Sequence, residues 1–422
     1  MPIIGIRRLA PVFLTIALLQ GRCIAAEPAT RPSAEQRMAD LVEQLGDADP
    51  AIRSRAQGAL VRMGKIAAPA LQEAAKSANP EVEMGATSVL AWIADPLTPT
   101  YVTVDVDSAP LEQVLALLAA QTGLPVSLAP QSAKLGGMKI TLHATEEPLL
   151  NVWVRICEQV NLLPSFQNGG WVLGKGLGAW SGDRTTVQGT LAVNVAEAQR
   201  QTMIEYSSPP EHRSSLQIAA YCSSEGKISV IGLEDAQIKK CQDATGRPVD
   251  LDIAPMPPRS LLLTVHGNPT APLSIEGNVN FVVGARQDHI EVADLATAKE
   301  TKKVAGILRL TFEHCRGTIQ REWAVRFIIY RDRRDDATWA QLMDGLRTHA
   351  PILLDAKARP LENHNSEIIT TDAEKFEIDY KYGNSKDAGR GVPDRPVKLT
   401  WEVPTRPATV NVPFRFKRVP LP

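Results

Sequence analysis

Aromatic residues are scarce, with Phe, Trp and Tyr together making up 5% of the 422 positions. Past residue 176 no series of long alternating strands carries the aromatic girdles of a membrane barrel. Cysteine is scarcer still, at five residues, and no Cys-x-x-Cys occurs. The seven histidines (His143, His212, His266, His289, His314, His349 and His364) never stand four apart around a Glu. The ligand spacings of a zinc site are therefore missing, and no metal or cofactor is expected. Neither sign of charge dominates: the formal net charge is −1 and no basic stripe stands out, which argues against nucleic acid as a partner. No Gly-x-Ser-x-Gly elbow is present, so that nucleophile has no signature. Gly174-Lys175-Gly176-Leu177-Gly178 lacks the Gly-Lys-Ser/Thr ending of a phosphate loop and reads as a flexible link. Asp332, Asp335 and Asp336 alternate with Arg331, Arg333 and Arg334 as a solvated turn would, and no catalytic residue is assigned.

The one sustained apolar run is N-terminal. Arg7-Arg8 precede an apolar stretch from Leu9 to Leu19, and Cys23-Ile24-Ala25-Ala26 supplies small residues for cleavage. Residues 1–26 are thus expected to be a signal peptide, because the apolar core is too short to span a bilayer as a helix. Arg22 stands where a lipidated cysteine is preceded by a small residue, which argues against a lipoprotein. The mature chain is expected to be periplasmic or secreted, without a transmembrane segment. Four cysteines then remain, and Cys222 with Cys241 is the better disulfide pair, flanking a short β-like stretch. Cys157 lies in an apolar helical run and reads as a buried small hydrophobe.

Repeats organise the rest. Asp49-Pro50-Ala51-Ile52 and Asn79-Pro80-Glu81-Val82 each start a helix 30 residues apart, with an N-cap side chain and Pro at the first helical position. Ala56 matches Ala86, Leu60 matches Leu90 and Met63 matches Ile93. This block, 34–95, resembles the HEAT-like repeats of α-solenoids; a four-helix bundle is the alternative. Residues 101–176 hold a second repeat with offset 38. Ala109-Pro110-Leu111-Glu112-Gln113-Val114-Leu115 returns as Glu147-Pro148-Leu149-Leu150-Asn151-Val152-Trp153, and Val102-Thr103-Val104 before it matches Ile140-Thr141-Leu142. The spacing predicts strand, proline, helix, twice over, then a hairpin through Asn168-Gly169.

That order, with its closing Gly170-Trp171-Val172-Leu173 strand, resembles the short N-terminal (STN) domain of secretins and TonB-type proteins. The resemblance implies a periplasmic module that docks partner proteins. From 185 onward short alternating runs, among them 279–283, 397–403 and 410–416, predict strands, and Asp243-Ala244-Thr245-Gly246-Arg247-Pro248-Val249 is echoed by Asp355-Ala356-Lys357-Ala358-Arg359-Pro360-Leu361 at offset 112. Two related β-sandwich modules are expected, at 185–333 and 334–422, with a helix inserted near 337–347.

The expected fold class is thus multidomain α+β: a short HEAT-like helical repeat, an STN-like duplicated α/β domain and a C-terminal β-sandwich region. The expected function is non-catalytic: an exported interaction or scaffold protein that binds envelope proteins through its α/β module and helical repeats. The outward-facing Thr103, Asp105, Thr141 and His143 are the candidate contact residues, and the strand edges are candidates for accepting a partner strand. The alternatives are an accessory of a secretion or TonB-type transport system, and an envelope-polymer hydrolase with a dispersed site.

Overall fold

The computed structural model describes residues 34–422 except positions 168, 177, 179, 206–210, 257–258, 268, 299–300, 306–307, 319–321, 332–338, 340–341, 344, 348, 373 and 384–394. The expected signal peptide lies outside the described residues. The chain is mixed α+β: helices come first, then mostly strands in several antiparallel sheets.

Four helices lead: α1 (Ala34–Gln44), α2 (Pro50–Met63), α3 (Ala68–Ala74) and α4 (Pro80–Ala94). The repeated cap motif works as its chemistry dictates. The Asp49 carboxylate accepts the Ala51 N–H and the Asn79 carbonyl accepts the Glu81 N–H, with Pro next in line where no N–H is needed. Of the matched apolar positions, Ala56, Leu60 and Ala86 are fully buried in one cluster with Leu71 and Val89, while Leu90, Met63 and Ile93 pack against it half-buried. Among the described residues no helix is long and apolar enough to cross a membrane.

The α/β unit follows as β1 (Tyr101–Pro110), α5 (Leu111–Thr122), β2 (Val126–Leu128), β3 (Lys139–Pro148), α6 (Leu149–Val160), β4 (Leu163–Gln167) and β5 (Gly170–Gly174). β1 pairs with β3 in a two-stranded antiparallel sheet, while β5 lies between β2, parallel to it, and β4, antiparallel to it. The 38-residue repeat is expressed as a local two-fold arrangement. Leu111 N–H bonds Met138 O and Leu149 N–H bonds Thr100 O, both partners 38 apart. Both helices end in a left-handed residue, Gly123 and Asn161, whose N–H returns to Ala119 O and Cys157 O. The repeat breaks at β5, which has no counterpart in the first copy, where residues Pro130–Leu135 form a 3₁₀ helix. Trp153 takes the place of Leu115 and packs 5.6 Å from Trp171, so the second half carries the larger core side chains.

Among the described residues the β region contains fourteen strands: β6 (Thr185–Gln188), β7 (Leu191–Glu205), β8 (Glu211–Ser224), β9 (Ser229–Gln242), β10 (Leu251–Met256), β11 (Ser260–Val265), β12 (Leu273–Ala293), β13 (Thr301–Ala305), β14 (Leu308–Gly317), β15 (Trp323–Arg331), β16 (Ile352–Asp355), β17 (Glu362–Thr371), β18 (Lys375–Gly383) and β19 (Pro396–Val419). One five-stranded sheet has the order β10-β11-β8-β7-β6 and the other, read in the matching direction, β17-β18-β15-β14-β13. Adding seven to each strand number turns the first order into the second. The remaining sheet, β16-β19-β12-β9, is shared: β12 and β19 pair antiparallel from Leu273↔Val419 to Ala293↔Lys398.

Two cores use this shared sheet. Leu273, Ile275, Val279, Phe281 and Val283 of β12 face the first core, whereas Val282, Ile290 and Val292 face the second. Successive strand residues point to opposite faces, so the two cores lie on opposite sides of the shared sheet. β19 does the same in reverse, giving Leu399, Trp401 and Val403 to the second core and Val412, Phe414 and Phe416 to the first. The junction expected at 333/334 falls between β15 and β16, inside the second run of seven strands; by strand order the two runs meet between β12 and β13. The inserted helix has described helical residues between 339 and 347, and its Trp339, Leu342 and Leu346 are buried in the second core.

The echoed heptapeptides form the same turn. Asp243 Oδ1 accepts the N–H groups of Thr245 and Arg247, and Asp355 Oδ1 accepts those of Lys357 and Arg359. The Thr245 hydroxyl and these N–H groups hold the Asp243 carboxyl down at about 2, while the N–H and guanidinium of Arg359 and the N–H of Lys357 also lower that of Asp355. Both folded values lie below the ordinary one, so this stabilisation is present above the ordinary carboxylate range and is lost as pH falls through the folded values. Gly246 sits at φ +82° and its counterpart Ala358 at φ +57°, a conformation that costs a Cβ-bearing residue. Ala358→Gly is therefore expected to stabilise the protein by about 0.5–1 kcal/mol, read as a raised denaturation midpoint; Gly246→Ala is expected to lower it.

Candidate functional site

The outer face of the β1–β3 sheet is the place where the four candidate residues meet. Even-numbered Val102, Val104, Ile140, Leu142 and Ala144 point into the core, which leaves Thr103, Asp105, Thr141 and His143 outward and exposed. Asp105 and His143 are direct cross-strand partners and stand 38 residues apart, so the local two-fold axis passes between them. His143 Nδ1 lies 2.6 Å from Asp105 Oδ1 and Nε2 lies 3.3 Å from Asp107 Oδ1. The hydrogen bond to Asp105, aided by the charge of Asp107, raises the His143 pKa above its ordinary 6.5. The carboxylates thus favour a cationic imidazolium between two anions.

The threonines play another part. Thr103 Oγ1 accepts the N–H of Glu146, and Thr141 Oγ1 accepts the N–H of Ser108. Ser108 and Glu146 are both held at φ +50°, where each strand bulges. The two hydroxyls therefore brace the bulges, and the charged centre of the face is Asp105, Asp107 and His143.

The strand edges are not open where the sequence reading expected them to be. Gln121 of α5 receives the Thr103 N–H on Oε1 and donates from Nε2 to Thr103 O, at 2.9 and 2.6 Å. Gln159 of α6 does the same for Thr141 at 3.3 and 3.1 Å. Each side-chain amide thus occupies the place of a neighbouring strand's peptide group, which blocks strand addition at those points. Both glutamines were visible in the 38-residue repeat, but nothing in the sequence assigned them this role.

Glu146 breaks the two-fold in a useful way. Where the first copy has Ser108, the second has a carboxylate that takes Arg37 at 2.7 Å and Arg62 at 3.3 Å, docking the helices onto the sheet. Lys65 adds a bond to Thr122 O at the end of α5. Arg155 pairs with Glu147 and donates to His143 O, which fixes the backbone beneath the imidazole.

The other singled-out residues stand apart from this face. Cys222 and Cys241 are free thiols rather than a disulfide. They lie on β8 and β9, strands of facing sheets, and both are packed as small hydrophobes in the first core, where burial pushes the thiols up, that of Cys241 to about 11. Cys157 is likewise buried in the α/β core. His266 pairs with Asp252 at 2.7 Å and His289 with Glu402 at 2.6 Å, each an exposed pair on its own sheet. His349 is half-buried and donates from Nδ1 to Gly345 O, and burial lowers its pKa. His314 is also lowered, chiefly by burial. The Gly-rich link is held at one end, where Asn194 donates to Gly178 O. The side chains of His212 and His364, and the run 332–336, lie outside the described residues. Among the described residues no group of three or more His, Cys, Asp and Glu is placed to hold a metal ion.

Asp105→Asn is expected to return the NMR titration midpoint of His143 toward 6.5, since the largest cause of its elevation is removed. The stability His143 contributes is full below the unfolded midpoint and fades as pH rises through the folded one. The variant should therefore lose stability at acidic pH and match the native protein at alkaline pH.

No family model matches the sequence, and no curated protein matches it. A solved chain described as a conserved domain protein from Bacillus anthracis aligns with 56% of this chain and 89% of its own, at 7% identity and a TM-score of 0.14. A TM-score that low carries no argument about fold.

Proposed function

We propose that the chain is an exported, non-catalytic interaction protein of the bacterial cell envelope, and that it contacts a partner protein through the outer face of β1 and β3. In this reading 1–26 is the signal peptide, 34–95 a HEAT-like block, 101–176 an STN-like docking module, and each β core a β-sandwich. The observation that carries it is the Asp105–His143–Asp107 cluster, exposed at the centre of a two-stranded sheet and borne by braced strands. Contact groups on rigid strands lose little freedom on binding, which suits a docking face. The element order β-α-β-β-α-β-β, split into a two-stranded and a three-stranded sheet, supports the resemblance to the secretin and TonB module, and with it the narrower reading of a secretion or transport accessory.

The test is a pull-down from the producing cell's own envelope extract with the mature protein and with the Asp105→Ala/His143→Ala pair. Surface substitutions are preferred to deleting 101–176, because Trp180 and Ala192 share that unit's core and would be exposed. A defined partner retained by the native face and lost with the pair supports the proposal. The same partners on both proteins would move the contact elsewhere. No partner on either would favour the hydrolase alternative and turn attention to activity screens on envelope polymers.

A further inference from the structure

Three parts of the molecule meet at one short loop. Residues 95–100 link the helices to β1, and the loop Glu225-Gly226-Lys227 joins β8 to β9. The Glu225 side chain is fully buried against that link. It accepts the Thr100 N–H at 2.9 Å, and Lys227 Nζ stands 3.7 Å away while donating to Thr98 O at 3.0 Å. Thr100 in turn accepts the first N–H of α6, so the link is tied to the β region on one side and the α/β unit on the other. Leu97 packs into the first β core, and Gly226 lies against the Phe166 ring of the α/β unit.

The anomaly is the second carboxylate oxygen. Glu225 Oε1 is buried and has no hydrogen-bond partner among the described residues. A carboxylate held this way costs more to bury than a neutral acid, because the unpaired oxygen has left water for nothing. The charged groups facing it are few: Lys227 on its own loop, with Lys65 beside α2 and Asp95 on the link acting on Lys227.

We propose that Glu225 is a proton-operated latch: uptake of a proton by its carboxyl tightens the grip of the β8–β9 loop on the 95–100 link, and so couples the N-terminal units more firmly to the β region. Protonation removes the unpaired charge while Oε2 still accepts the Thr100 N–H; the Thr100 bond and the Lys227 charge favour the carboxylate, and burial outweighs them. Burial raises the Glu225 pKa above its ordinary 4.5. For an acid with a raised folded pKa, the folded state binds the proton more tightly, so the latched form gains as pH falls from neutral toward the ordinary carboxylate range.

The test is amide hydrogen exchange of the full chain between pH 7.5 and pH 5, expressed as protection factors so that the chemical pH dependence cancels. The segment 97–101 and the Leu149 amide are the readouts. In the native protein their protection is expected to rise severalfold on acidification, because the latched form binds the proton more tightly. Glu225→Gln keeps the acceptor without the charge and is expected to be highly protected and flat across the range. Glu225→Ala, with no acceptor for Thr100, is expected to be unprotected at both ends; if it fails to fold, the glutamine variant carries the test alone. Protection that does not change with pH in the native protein, or that changes equally in Glu225→Gln, overturns the proposal. His143 also titrates, but it is unaltered in both variants, so its contribution is common to all the curves.

Discussion

Trp401→Ala is expected to cost about 3–5 kcal/mol, the range for removing a large buried aromatic. Trp401 is 2% exposed, with its ring 4.8 Å from Phe327 and 5.6 Å from Tyr380. Its Nε1 donates to His349 O at 2.6 Å, and orphaning that carbonyl adds roughly 1 kcal/mol. What sets the size of the effect apart is where the loss is felt. β19 carries Trp401 into the second core and, eleven residues on, Val412 into the first. Both stretches pair with β12 without a register shift between Ile275 and Ala293 other than the unpaired step near 285. Denaturation followed at either core is therefore expected to shift by the same amount. A loss confined to the second core would separate the two runs of strands.

Gly226→Ala is the second large effect. Gly226 sits at φ +82°, a conformation that penalises any Cβ, and a Cβ built there would lie 2.3–2.5 Å from three atoms of the Phe166 ring. Phe166 cannot swing freely, because its edge packs on Trp171 at 5.5 Å. Backbone strain and overpacking together are expected to cost about 2–4 kcal/mol. The nearest clash is with Phe166, so Phe166→Ala combined with Gly226→Ala should recover part of the loss. A double-mutant cycle measures that recovery. Simple additivity of the two losses would show that the strain is all backbone.

The helices and the α/β unit were legible because their signals are local. Asp49 and Asn79 announce helix starts through cap chemistry that acts within two residues. The 38-residue repeat fixes which strand faces which, down to Asp105 opposite His143. The long strands were harder. The run 279–283 is the middle of β12, and the runs 397–403 and 410–416 are two parts of β19. Pro404, Pro407 and Pro413 fall inside β19 and read as interruptions. They are tolerated because β16 pairs only with residues 396–400, so beyond that point β19 has a ladder partner on one side alone among the described residues. Pairing between residues more than a hundred apart, such as Leu273 with Val419, leaves no local trace, so the shared sheet has no signature in the sequence. At the candidate face, burial alternation placed the four residues correctly outward. It could not tell a threonine that braces a bulge from one that is free, nor reveal that Gln121 and Gln159 would close the strand edges.

The interlocking of the two β cores through β12 and β19 is tested most directly by amide exchange in Phe416→Ala. Phe416 is fully buried in the first core and is not a member of the second. If the shared strands make one cooperative body, exchange at Ile329 and Tyr380 in the second core rises by the same factor as at Leu263 and Phe281 in the first. Faster exchange at Leu263 and Phe281 with no change at Ile329 and Tyr380 would contradict the interlocked account.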